Sequence, residues 1–131
     1  MATSLHPSID PVLQPLWIAA DRAGIWAAGV AASLAQYQAA VAALAAQSTA
    51  ATAVHTAAKQ ALASAVTAND PTIDLTQLRV AADHAGIWAA GVAASLAQYQ
   101  AAVAALAAQS TAATAVHTAA KQALANASTA S

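Results

Sequence analysis

The chain has 131 residues, 60% of them apolar, with four basic and five acidic side chains and a formal net charge of −1. That balance leaves no electrostatic footprint for nucleic acid and no polybasic patch for an anionic membrane. There is no cysteine, so disulfides and thiolate metal sites are excluded, and alanine at 47 positions sets the chain apart from ordinary globular domains.

The opening stretch, MATSLHPSIDP, has neither a basic n-region nor an apolar h-region, so no secretory signal is read there. The localisation is left unknown by the sequence: cytoplasmic by default, or exported without a cleavable signal. Pro11 and Pro15 suit the first turn of a helix, where a missing N–H costs nothing. From Leu13 the apolar spacing alternates steps of three and four without a break. It runs through Leu16, Ala20, Ala23, Ala27, Val30, Leu34, Tyr37, Val41, Leu44, Ser48, Ala51, His55, Ala58, Leu62 and Ala65. This is a heptad seam, and alanine's high helix propensity agrees with it. The pattern predicts a helix over about 12–67, on the order of 80 Å long at 1.5 Å per residue. The alternative is a break at Gln47–Thr49; continuity is expected because the heptad phase carries through those residues.

Asp70 and Pro71 end the first helix, and Asp74 or Thr76 is the expected N-cap of a second, over about 75–128. The second helix repeats the first. Residues 19–63 and 81–125 differ only at Arg22 against His84, and the tetrapeptide PSID at 7–10 recurs as PTID at 71–74. The organisation expected is one domain, 1–131, with repeat 1 at about 7–68, repeat 2 at about 71–131 and a linker at about 67–75.

A short connector folds two long helices back antiparallel. The fold class expected is therefore all-α: a hairpin of two alanine-rich helices. Setting residue 66 opposite 77 pairs Val41 with Ala102, Tyr37 with Leu106, Tyr99 with Leu44, His55 with Trp88 and His117 with Trp26. Each buried alanine removes little area from water, and burial yields only about 25 cal/mol per Å². Trp17, Ile18, Ile25, Trp26 and Val54 lie off the seam, and residues 23–58 carry no charge. A helix apolar all round is normally buried, so the hairpin is expected to pack on copies of itself, as a four-helix bundle or a larger array. The residues expected to carry helix packing and self-association are Leu34, Tyr37, Val41, Leu44, Leu62 and Trp26, with Leu96, Tyr99, Val103, Leu106, Leu124 and Trp88 in the second copy.

Other constellations carry less. His55 and His117 occupy equivalent seam positions, where paired imidazoles of a bundle can hold haem iron or zinc. In an antiparallel hairpin they lie far apart, and no Cys, Asp or Glu shares their turns. His84 reads as solvated. Gly24, Gly29 and Ser33 are small residues of the kind that let helices touch. Thr49, Thr52 and Thr56, repeated at Thr111, Thr114 and Thr118, form a ladder beside alanines. In composition this resembles the alanine-rich antifreeze proteins, and the resemblance implies ice binding. The hairpin plan and the Trp26–Gly29 stretch are similar to small secreted helical hairpins of bacterial type VII systems. Their Trp-x-Gly turn and tail signal are missing here, since Tyr37 is followed at the fourth place by Val41.

No Ser/His/acid set, paired carboxylates or glycine-rich phosphate loop appears, so no enzyme is read, and no cofactor or metal. The function expected is structural self-assembly, with itself as partner and with no nucleic acid or small-molecule substrate. The alternatives are an Ala/Thr-rich helical face that binds ice, a bundle core that binds haem or a hydrophobe, and a membrane-inserting hairpin. Membrane insertion is disfavoured because the uncharged run holds Gln36, Gln38, Gln47, Ser48, Thr49 and Thr52 and lacks basic flanks.

Overall fold

The computed structural model describes residues 10–130. The first three residues of PSID, 7–9, lie outside that range. The fold is an all-α antiparallel hairpin of two long helices packed against each other, without a strand among the described residues. Helix α1 is Gln14–Ala68 and helix α2 is Leu75–Ala130, of 55 and 56 residues. The expected boundaries hold to within two residues at every end. Both helices are continuous, and α1 passes Gln47–Thr49 without interruption. The Thr49 hydroxyl there donates to the Ala45 carbonyl oxygen at 3.1 Å, and the helix runs on past it.

An aspartate starts each helix. Asp74 Oδ1 accepts from the Thr76 and Gln77 amides at 3.0 and 3.4 Å, satisfying N–H groups that have no partner inside the helix. Asp10 does the equivalent for α1. Its Oδ1 accepts from the Val12 amide at 2.9 Å, and its carbonyl oxygen accepts from the Gln14 amide at 2.8 Å. The prolines alone therefore do not explain the start of α1. The Ile-Asp pair common to PSID and PTID places one capping carboxylate before each copy.

The connector is built with equal economy. Asn69 takes a left-handed conformation, φ 51°, and its amide donates to the Ala65 carbonyl oxygen at 3.2 Å. This is the turn that commonly closes a helix. A β-turn follows, with the Ile73 amide donating to the Asp70 carbonyl oxygen at 3.2 Å and Pro71 supplying its fixed φ. Asp70 Oδ1 accepts from both the amide and the hydroxyl of Thr72, at 2.9 and 2.8 Å. These two bonds hold the carboxyl below its ordinary value of 3.8.

The packing divides into two compact units. One takes the chain up to Gln36 together with everything from Val103 onward; the other is Tyr37–Ala102. In the first unit Leu13, Ala20, Ala23, Val30 and Ala113 are buried. In the second the buried residues are Ala51, Ala65, Ala82, Ala85 and Val92. Each unit thus joins the early part of one copy to the late part of the other, and the same residue types fill both cores. All of these are seam positions, whereas the seam residues Tyr37 and Tyr99 stay exposed. Ala51 and Ala113 are completely enclosed, which requires the opposing helix to approach closely.

Candidate interaction surface

The residues singled out from the sequence divide by burial, with the leucines and valines half-buried and Tyr37, Tyr99, Trp26 and Trp88 exposed. Leu34, Val103, Leu106 and Leu124 are half-buried in the first unit, and Val41, Leu44, Leu62 and Leu96 in the second. Pairing across the second unit differs from expectation. His55 faces Gly86 instead of Trp88: a Cβ added at Gly86 would lie 3.0 Å from its Nε2. In the first unit His117 faces Gly24 instead of Trp26, with the corresponding distance 2.9 Å. At these two points the register is displaced by two residues, and each imidazole edge lies beside the space where a Cβ of the facing residue would stand. An indole at that point would hold the helices apart.

Tyr37 shows a second departure. Its ring lies against Tyr99, centroids 5.5 Å apart and planes at 36°, where leucine partners were expected. Tilted aromatic pairs at this separation are favourable beyond the area they bury.

Trp26 and Trp88 are not seam residues in either unit; each is 46% exposed. Ile25 and Ile87 stand out further, at 67% and 70%. Ile18, Val54, Val80 and Val116 are also exposed. Gly29 and Gly91 meet nothing within 4 Å of an added Cβ, so their small size admits no group of this chain. Both helices contain windows long and apolar enough to cross a membrane, and almost none of either window is buried.

Polar groups converge little. A shallow groove beside His117 is lined by Trp17, Ala20, Asp21, Lys121 and Leu124. A similar one beside His55 includes Asp83, Gly86 and Ile87. Among the described residues no three His, Asp or Glu side chains gather closely enough to hold a metal ion. The threonine ladder is exposed, but Thr49 and Thr111 each donate their hydroxyl to their own helix, to Ala45 and Ala107.

The arrangement defines an all-α helical hairpin with a small-residue seam and apolar outer faces. No protein-family model matches the chain, and neither a curated protein nor a solved structure is significantly similar to it.

Proposed function

We propose that this chain is a structural, self-assembling helical protein whose hairpins dock on copies of themselves through their exposed apolar faces, forming a four-helix bundle or a longer array. The observation that carries the reading is the pair of exposed patches around Ile25–Trp26 and Ile87–Trp88 on a nearly neutral molecule. No catalytic role is assigned to any residue in this reading.

Sedimentation velocity and light scattering over a concentration series test it, with electron microscopy to separate a closed bundle from a filament. The expected result is a dimer or larger species throughout the micromolar range. A monomer that persists at high concentration would refute the proposal. The unburied apolar windows favour one second reading, insertion of the hairpin into a bilayer. Partitioning into neutral liposomes distinguishes the two, since a self-assembling chain stays with the buffer fraction.

A further inference from the structure

We propose that Tyr37 and Tyr99 form an oxidative coupling site at which a one-electron oxidant of the haem peroxidase and peroxide class links helices α1 and α2 through a dityrosine bond. They are the chain's only two tyrosines, they come from equivalent positions of the two copies, and the fold sets their rings 5.5 Å apart. Each tyrosine residue is 39% exposed, so an oxidant in solution reaches both. There is no cysteine to quench a phenoxyl radical once formed.

The step balances as follows. Each phenol gives up one electron and one proton, and the two radicals join through the carbons ortho to their oxygens. The hydrogens on those carbons then move to the oxygens and restore both phenols. One C–C bond replaces two ring C–H bonds, and two electrons and two protons reduce one peroxide to two waters. Coupling between separate molecules has to wait for an encounter, whereas here the partner ring is already in place. The product is a covalent staple closing a long loop, which restricts the unfolded chain and raises thermal stability. The inference stands on the ring geometry within the unit Tyr37–Ala102 and does not require self-association.

The test treats the full chain with peroxidase and limiting peroxide, using an equal mixture of ordinary and ¹⁵N-labelled protein. The expected product runs as a monomer under denaturing conditions and is lighter by two hydrogen atoms. It shows dityrosine fluorescence and contains a tryptic cross-link between residues 23–59 and 80–121 of the same isotope. Its yield is independent of protein concentration, its Tm is raised, and Tyr37→Phe abolishes it while leaving the helical circular dichroism unchanged. A product in which half the cross-links are mixed-isotope, the statistical outcome of coupling between separate molecules, would overturn the proposal. So would products in which only Trp17, Trp26 or Trp88 has gained oxygen and both tyrosines remain intact.

Discussion

An added methyl group at Gly29 or Gly91 meets no atom within 4 Å, while one at Gly24 or Gly86 meets the edge of a histidine ring. All four glycines sit inside helices, where alanine is better by about 1 kcal/mol. Gly29→Ala and Gly91→Ala should therefore each stabilise the hairpin by about 1 kcal/mol, and roughly additively because the sites are independent. Gly24→Ala and Gly86→Ala should give distinctly less, because His117 or His55 must move aside. Urea denaturation measures the difference, and the imidazole resonances should shift only in the second pair. Sequence alone treats the four alike; the partner across the seam separates them. Asn69 is a comparable case. Its positive φ is tolerated by asparagine and strained for alanine, so Asn69→Ala should cost roughly 1 kcal/mol and Asn69→Gly little or nothing, read from the same denaturation curves.

Each helix depends on its ends as much as on its alanines. Asp74→Ala removes the acceptor for the Thr76 and Gln77 amides and should lower stability by about 1 kcal/mol. Asp10→Ala should do likewise for α1, which a reading based on Pro11 and Pro15 would not anticipate. Between the helices, Asp70 gives the connector a pH dependence. Its folded pKa lies below 3.8, so its contribution is complete above that value and fades as pH falls through the lowered folded pKa. Thr72→Val removes the hydroxyl bond, and Asp70→Asn removes the charge. Thermal melts between neutral and acid pH should show a smaller loss of Tm on acidification in Asp70→Asn than in the parent. An unchanged slope would show that the Asp70–Thr72 bonds contribute nothing to stability.

For the molecule as a whole, the test lies in the outer faces. Ile25→Lys combined with Ile87→Lys places a charge in the middle of each exposed patch without touching the seam. Burial of an isoleucine is worth on the order of 1.5–3 kcal/mol, so self-association should weaken at least tenfold while the helical circular dichroism stays unchanged. Sedimentation of the double variant beside the parent checks this. Loss of helix in the variant would mean instead that these side chains support the hairpin itself.

Helix, seam and hairpin could be read from the residues because each depends on local regularity. A three-and-four spacing over fifty residues fixes which face is buried, and Asp70-Pro71 marks where the chain must turn. The register could not. Sliding one heptad past another replaces alanine by alanine at much of the seam, so many alignments are nearly equal in energy. Only a few bulky or absent side chains choose among them. The structure settled that choice with His55 against Gly86 and His117 against Gly24. It also turned Trp26 and Trp88 outward, since volume across a narrow seam is decided by both helices together and is invisible in either one.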